Sequence, residues 1–299
     1  MELFCSDDYV ASDHAFDTTR KAGWIAAALQ DSPIPGVELV EPAPLACEQI
    51  LQVHSREYVD AVRSGSPSEL ASSSGFAWNK NTWPSVCASN GGVVAAVHAA
   101  LRDGVAGSLS SGLHHARHDH GAGNCTFNGL VLGARAALET GAGGVLIVDF
   151  DAHCGGGTAS LLSDGMEQLD VSTSSFDAYE PVAGTRLQVV DGQPVASCGN
   201  RYLDACRDAL DAVEGGGIDL CIYNAGMDPH EDCDLGGAAG IDEEILRQRE
   251  RLVFEWCASR GIPVAFVLAG GYTGTRMGED DLVNLHLLTV DAARQSTTL

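Results

Sequence analysis

The sequence predicts an α/β fold in which a central, mainly parallel sheet is flanked by helices. Short apolar runs alternate with longer segments of helical periodicity along the whole chain, a pattern typical of repeated β–α units. Residues 143–150, GGVLIVDF, are apolar almost throughout, as expected for a strand that is covered on both faces. The 299 residues contain no internal repeat and no low-complexity linker, so one domain over residues 1–299 is the economical interpretation.

The predicted elements follow from these two kinds of segment. Short apolar runs predict strands at residues 1–5, 37–40, 107–110, 144–150, 168–172, 219–224 and 263–269. Longer periodic segments predict helices at residues 18–29, 45–53, 57–63, 91–101, 128–140, 202–213, 242–259 and 280–293. Because helical segments separate most of the strands, the sheet is predicted to be mainly parallel.

The chain is strongly acidic, with 41 Asp and Glu residues against 17 Lys and Arg residues and a formal net charge of −24. An electric field of this sign repels nucleic acid and anionic membranes, so neither is expected as a partner. Adaptation to high salt and a cationic substrate are open explanations of the acidity, but a solvated acidic surface is the preferred one. The oligomeric state is open, and a homo-oligomer is compatible with the sequence.

The ten cysteines form no C-x-x-C pair, so a zinc ribbon or a thioredoxin-type redox site is not indicated. The N-terminal residues MELFCSDDYVASDH lack the basic start and apolar stretch of a secretory signal. No apolar run approaches the roughly 20 residues that span a bilayer. A cytoplasmic protein with reduced thiols is therefore expected.

Polar residues follow three of the apolar strands at the point where each strand ends. The three segments read VLIVDFDAH, DLCIYNAGMD and VAFVLAGGY. In open α/β sheets, ligands bind beyond the carboxyl ends of the strands, so these polar tails are expected to meet in one crevice.

The first two tails contain candidate metal ligands. Alternate residues at a strand end point the same way, so Asp149, Asp151 and His153 are expected on one side. Carboxylate and imidazole together suit Zn²⁺ or Fe²⁺. The alternative is a strand-end carboxylate that caps a helix near residues 155–158. Asp228 becomes a third ligand if its strand lies beside the first, and is otherwise a turn residue.

Two further elements suggest hydrolytic chemistry. His114 and His115 are adjacent in a Gly-rich loop, where they can serve as the general base and general acid of a reaction with water, and Asp149 is the natural partner for one of them. Tyr272 follows two glycines at a strand end, which can place its phenol against a developing oxyanion. The alternative for Tyr272 is an ordinary half-buried tyrosine.

Taken together and in this order, the motifs resemble those of the histone deacetylase family, which includes bacterial deacetylase-like amidohydrolases and acetylpolyamine amidohydrolases. The matching segments span most of the chain and read VHSREYVDAV (53–62), GLHHA (112–116), NCTFN (124–128), VDFDAHCGGGT (148–158), DVST (170–173), YNAGMDP (223–229), DLGG (234–237) and AGGY (269–272). The resemblance implies a three-layer arginase/deacetylase-like fold and zinc-dependent hydrolysis of an acylated amine, on a small molecule or on a protein side chain.

The resemblance also implies a role for individual residues. The metal ligands would be Asp151, His153 and Asp228. The catalytic residues would be the tandem acid–base pair His114 and His115, the carboxylate Asp149 that pairs with the first of them, and the carbonyl-polarising Tyr272. The substrate-binding positions would be Gly123, Asn124 and Gly271. A structural potassium ion would lie near Asp149, Asp151, His153, Ser172 and Thr173.

Two departures from the family pattern leave questions open. The carboxylate partner of the second histidine would fall at Gly156, which has no side chain, so His115 is either less basic or oriented by water or another carboxylate. The usual Phe of the acyl-lysine tunnel corresponds to Asn124, which makes that wall less apolar. Two other functions are alternatives. One is a two-metal ureohydrolase of the arginase type, whose DAHxD motif lacks its last Asp here, and the other is a catalytically silent module that binds an acylated ligand.

Overall fold

The computed structural model describes residues 1–190, 198–213 and 216–297. Within these ranges, eight strands run parallel in a single sheet. They are β1 (Glu2–Phe4), β2 (Glu38–Val40), β3 (Val105–Ser108), β4 (Val145–Asp149), β5 (Met166–Ser172), β6 (Thr185–Val189), β7 (Leu220–Ala225) and β8 (Val264–Leu268). Their order across the sheet is β2-β1-β3-β8-β7-β4-β5-β6, so the last strand of the sequence lies in the middle.

Ten α-helices lie in the same described ranges. They are α1 (Lys21–Asp31), α2 (Cys47–Ile50), α3 (Arg56–Ser64), α4 (Ser68–Ala71), α5 (Thr82–Asp103), α6 (Gly129–Glu139), α7 (Gly156–Ala159), α8 (Cys198–Asp211), α9 (Glu243–Ala258) and α10 (Glu279–Ser296). None of the helices in the described part of the chain is both long and apolar enough to cross a membrane.

The hydrophobic core has two halves, one on each face of the sheet. Successive side chains of a strand point to opposite faces. Accordingly, Leu146 and Val148 of β4 pack with α1, α8, α9 and α10, whereas Val145 and Ile147 pack with α3, α5 and α6. These three layers of helix, sheet and helix confirm the predicted fold class.

Each of the seven predicted strands overlaps an observed strand, but β6 was not predicted. Only Thr185 of its five residues is buried, because β6 forms the edge of the sheet and needs little apolar cover. The helix predicted from residue 91 begins at Thr82 instead. Pro84 lies in its first turn, where the missing N–H costs no intrahelical hydrogen bond.

The sheet order explains where a ligand site can form. β3, β8, β7 and β4 are consecutive neighbours, and the chain leaves each of them at the same edge of the sheet. The segments after these strands carry the His-His pair, the GGY tail, Asp228 and the DxDxH tail respectively. Parallel pairing therefore brings four distant stretches of sequence to one crevice.

Candidate active site

Asp151, His153 and Asp228 lie together at the carboxyl ends of β4 and β7. One ligand atom of each residue lies within 4.8 Å of the ligand atoms of the other two. His153 Nδ1 is 3.2 Å from Asp151 Oδ1 and 3.0 Å from Asp228 Oδ2. Both carboxylates are buried and the imidazole is partly exposed. The structure thus brings the three predicted ligands together.

Backbone amides fix the two carboxylates in this geometry. Asp151 Oδ2 accepts a hydrogen bond from the Gly270 N–H at 2.6 Å, and Asp228 Oδ1 accepts one from the Ala152 N–H at 3.0 Å. A Cβ atom at Gly270 would lie only 2.1 Å from Asp228 Oδ2, so this position requires glycine. No donor in the described residues is aligned to hydrogen-bond Asp228 Oδ2, although the atom is buried. A buried carboxylate oxygen without a donor, beside an imidazole and a second carboxylate, fits a bound cation.

The alternative role of helix capping does not describe Asp151. The amides at the start of α7 are bonded by two other carboxylates. The Gly155 N–H donates to Asp170 Oδ2 at 2.7 Å, and the Gly157 N–H donates to Asp177 Oδ2 at 3.1 Å. Asp151 is therefore free to face the crevice.

The charges of the three residues favour a positive charge between the carboxylates. Burial opposes protonation of His153, but the adjacent Asp151 and Asp228 outweigh it and raise the pKa of His153 to about 11. Burial and the charge of Asp151 together raise the pKa of Asp228 to about 6. Two buried carboxylates need nearby positive charge to offset their own, and a divalent cation supplies more positive charge than one imidazolium does.

His114 is the first member of the predicted acid–base pair. Its Nδ1 lies 2.7 Å from Asp149 Oδ2, and Asn224 Nδ2 donates to Asp149 Oδ1 at 2.8 Å. Its Nε2 faces the ligand group, 3.7 Å from Asp151 Oδ1. Burial lowers the pKa of His114, but the charge of Asp149 overcomes this effect and the pKa rises to about 10.

His115 lies beside His114, with the two ring centroids 4.0 Å apart and the ring planes tilted by 41°. Its Nδ1 lies 2.9 Å from Asp177 Oδ2. A carboxylate from another loop therefore pairs with His115 in place of the one that is absent at Gly156. Burial, and then the charge of His114, lower the pKa of His115 to about 4. The sequence analysis missed Asp177, because the residue lies in a loop after β5, 62 positions away, with no periodic pattern around it.

Tyr272 shares one crevice with both histidines and Asp151. Burial, and then the charges of Asp228 and Asp151, raise the pKa of Tyr272 well above its usual range. The phenol is therefore a hydrogen-bond donor at neutral pH. The described residues that line this crevice are Thr18, Ser111, Leu113, His114, His115, Gly123, Cys125, Asp151, Asn224, Ala269, Gly270 and Tyr272.

Lys21 is a buried residue of this region that the sequence analysis did not place there. Its ammonium donates to the Ala269 carbonyl and lies 5.9 Å from the centre of the Tyr272 ring. Burial lowers its pKa to about 8. A lysine in the otherwise apolar segment KAGWIAAAL was the available signal.

The three predicted substrate-binding positions fall in different places. Gly123 lines the crevice, and a Cβ there would lie 2.3 Å from His115 Cδ2. Asn124 adopts a left-handed conformation with φ of +63° and lines a neighbouring cavity that is rich in serine and threonine. Gly271 has φ of +138°, and a side chain there would meet His286 at 2.9 Å.

The predicted potassium region lies beside the ends of β4 and β5. Ser172 Oγ donates to Asp170 Oδ1, and Thr173 Oγ1 donates to the Gly236 carbonyl at 2.9 Å. Asp170 is buried next to Asp149. Burial and that neighbouring charge raise the pKa of Asp170 well above its usual range. Asp170 lies within the DVST motif, from which no role was predicted for it.

Comparison with known proteins links this geometry to one family. Residues 14–285 match the family model of the histone deacetylase domain. An uncharacterised protein of Picosynechococcus sp. is 30% identical over 293 residues, which cover 96% of each chain. Histone deacetylase 2 of Arabidopsis thaliana is 26% identical over 295 residues, covering 91% of this chain and 73% of that protein. The crystal structure of the HDA15 HD domain shares the fold, with a TM-score of 0.77 at 17% identity over 99% of this chain and 89% of that one.

Proposed function

The chain belongs to the histone deacetylase family, and on that premise we propose that it is a metal-dependent amidohydrolase that cleaves an acylated amine. One observation carries the proposal. Asp151, His153 and Asp228 converge beside His114, His115 and Tyr272 at one edge of the sheet. A site that only bound an acylated ligand would have no need of two imidazoles held by carboxylates.

Asp151, His153 and Asp228 are the residues that would hold the ion, and Zn²⁺ or Fe²⁺ suits their oxygen and nitrogen donors. Such an ion polarises an amide carbonyl and acidifies a water molecule. The buried Asp228 Oδ2, which has no aligned donor among the described residues, supports this assignment, as does the glycine at position 270 that leaves room for both carboxylates.

The two histidines would move the protons of the reaction. His115 Nδ1 faces Asp177, which leaves its Nε2 free to take a proton from the attacking water as the new C–O bond forms. His114, 4.0 Å away between ring centroids, faces the same crevice. When the C–N bond breaks, an imidazolium of this pair gives its proton to the nitrogen. The products are a carboxylic acid and a free amine.

Tyr272 would stabilise the charge that builds on the carbonyl oxygen. Its phenol stays protonated, lines the crevice and can donate a hydrogen bond to the oxyanion. Ordered donors of this kind are effective because they need no reorganisation when the charge develops.

The substrate that we propose is an acylated amine, either an acetyl-lysine side chain or an acetylated polyamine. Phe176 is 52% exposed, and its ring lies perpendicular to the rings of His115 and His153 at centroid distances of 5.0 and 5.8 Å. An exposed aromatic ring in this position can pack against the aliphatic stem of such a substrate.

We also propose a structural potassium ion near Asp149, Asp151, His153, Ser172 and Thr173. The adjacent buried carboxylates Asp149 and Asp170 support it, since a cation beside them would offset their repulsion.

The test is amine release by the purified chain, loaded with Zn²⁺ or Fe²⁺, from a panel of acetyl-lysine peptides and acetylated polyamines. Release that a chelator abolishes and added metal restores is the expected result. Absence of release from every substrate, at one bound ion per chain, would favour a silent binding module. Two tightly bound manganese ions per chain would favour a ureohydrolase.

A further inference from the structure

A short segment after β5 reaches back over the acid–base pair. Its residue Phe176 packs edge-on against His115, and its carbonyl accepts a hydrogen bond from the Cys154 N–H at 3.0 Å. The next residue, Asp177, adopts the left-handed conformation with φ of +60°. This conformation is uncommon for residues other than glycine, although Asp tolerates it better than most. The turn sends the Asp177 carboxylate inward, next to His115.

Every contact of the Asp177 carboxylate fixes its position. Oδ2 lies 2.9 Å from His115 Nδ1 and accepts the Gly157 N–H at 3.1 Å. Oδ1 accepts a hydrogen bond from Arg117, whose other guanidinium nitrogen donates to the Gly156 carbonyl at 2.9 Å. The Asp177 side chain is only 11% exposed. Because the Gly157 N–H and Arg117 hold this carboxylate independently of His115, it cannot follow a turning imidazole and so dictates the orientation of that ring.

Gly156 packs directly against Asp177, where a larger residue would not fit. A Cβ atom at position 156 would lie 2.3 Å from the Asp177 carbonyl oxygen, 2.7 Å from Oδ1 and 2.8 Å from Cγ. The space into which a side chain at 156 would extend is therefore filled by Asp177. A carboxylate at 156 would therefore require both the Asp177 side chain and the backbone carbonyl of residue 177 to move.

We propose that Asp177 is the positioning residue for His115, and that position 156 is a glycine because this carboxylate arrives from the opposite loop. The proposal rests on the proposed function only in taking His115 as an acid–base residue. His115 donates its Nδ1–H to Asp177, which fixes the tautomer and leaves the Nε2 lone pair towards the crevice. Without the carboxylate, the ring can turn over or exchange its tautomer.

Kinetics of Asp177→Asn and Asp177→Ala test this role. We expect kcat to fall roughly tenfold to a hundredfold while KM and bound metal change little. This is at or below the lower end of the roughly 10²–10⁴-fold contribution of general acid–base catalysis, because His115 is misoriented and not removed. Asp119→Asn is the matched control, because it breaks another His–Asp contact, 2.7 Å from His120 Nδ1, at an exposed site. An unchanged kcat in Asp177→Ala would overturn the proposal, as would a loss of activity that appears only as loss of metal.

An exchange of the two positions distinguishes a positioning role from a merely structural one. Asp177→Gly alone should lose kcat, and Gly156→Asp alone should lose both kcat and stability because of the clash. The double variant Gly156→Asp/Asp177→Gly places the carboxylate on the α7 side and removes the side-chain part of the clash. Glycine at 177 also lets the backbone carbonyl move away from the new Cβ, so we expect the double variant to recover part of the kcat lost in Asp177→Gly. A folded, metal-loaded double variant that is no more active than Asp177→Gly would contradict the proposal.

A readout that does not depend on activity separates this proposal from the proposed function. In ¹⁵N-histidine-labelled protein, the Nδ1–H proton of His115 should resonate far downfield, and the signal should vanish in Asp177→Ala and return in the double variant. If the wild-type chain cleaves no substrate of the panel, the amidohydrolase proposal fails while this spectrum still decides the role of Asp177. An unchanged spectrum in Asp177→Ala would refute the positioning role.

Discussion

Replacing Tyr272 by phenylalanine tests the proposed oxyanion donor with a very small change. The substitution removes only the phenol oxygen. It keeps the ring against Phe16, at a centroid distance of 5.0 Å, and near the Lys21 ammonium at 5.9 Å. Because the pKa of Tyr272 is raised by burial and by the charges of Asp228 and Asp151, the wild-type phenol carries its proton over the whole range of an ordinary assay. The variant therefore lacks one hydrogen bond to the transition state and retains the shape of the crevice.

The size of the effect follows from the energy of such a donor. Loss of one oxyanion donor costs roughly 2.7–4 kcal/mol of barrier. At about 1.36 kcal/mol for each tenfold change in rate, kcat should fall by roughly a hundredfold to a thousandfold. KM should change little, because the oxygen becomes negatively charged only as the reaction proceeds.

The assay is steady-state amine release from an acetyl-lysine peptide, with the metal content measured on the same samples. Tyr179→Phe is the control, because its hydroxyl donates to the Arg186 carbonyl at 3.3 Å and does not line the crevice. Turnover of Tyr272→Phe within about threefold of wild type, at equal metal content, would exclude the phenol as an oxyanion donor.

Three further predictions follow from the geometry. Gly270→Ala should weaken metal affinity at least tenfold by equilibrium dialysis, since its Cβ would lie 2.1 Å from Asp228 Oδ2; unchanged affinity would contradict the proposed ligand geometry. Asp228→Asn should reduce bound metal and amine release in parallel, and full activity without bound metal would rule out the proposed ligand set. His54 is buried, and its Nε2 accepts the Asn128 N–H at 3.0 Å; burial lowers its pKa to about 4. As pH falls, His54 is therefore protonated in the unfolded chain before it is protonated in the folded one. The free energy of unfolding should drop by about 2 kcal/mol between pH 7 and 5 in urea titrations, and this drop should shrink in His54→Gln.

The strands that carry the site were predictable because they are fully buried. β4, β7 and β8 are buried along their whole length and mostly apolar, and polar residues at or just beyond their carboxyl ends interrupt that pattern sharply. Parallel strands also share one carboxyl edge, so a convergence of their tails could be inferred without coordinates. β6 escaped prediction because an exposed edge strand has no such apolar run.

The contacts that could not be predicted from the sequence come from a loop and from the packing of a helix. Asp177 reaches His115 through a left-handed turn, and a single aspartate in the polar segment SSFDAY has no feature that distinguishes it from a solvated one. Lys21 likewise enters the site only because α1 packs against the sheet next to β8. Such contacts depend on how elements pack against one another, which cannot be inferred from the spacing of apolar residues along the sequence.

The position of β8 has a consequence for synthesis of the chain. Of the eight strands in the described residues, β8 is synthesised last, yet it joins β3 to β7, so the other seven strands form two separate groups until residue 268 exists. The imidazole pair belongs to one half, and the three ligands belong to the other. A nascent chain therefore cannot bring the proposed ligands and the imidazole pair together within the sheet before β8 has been synthesised.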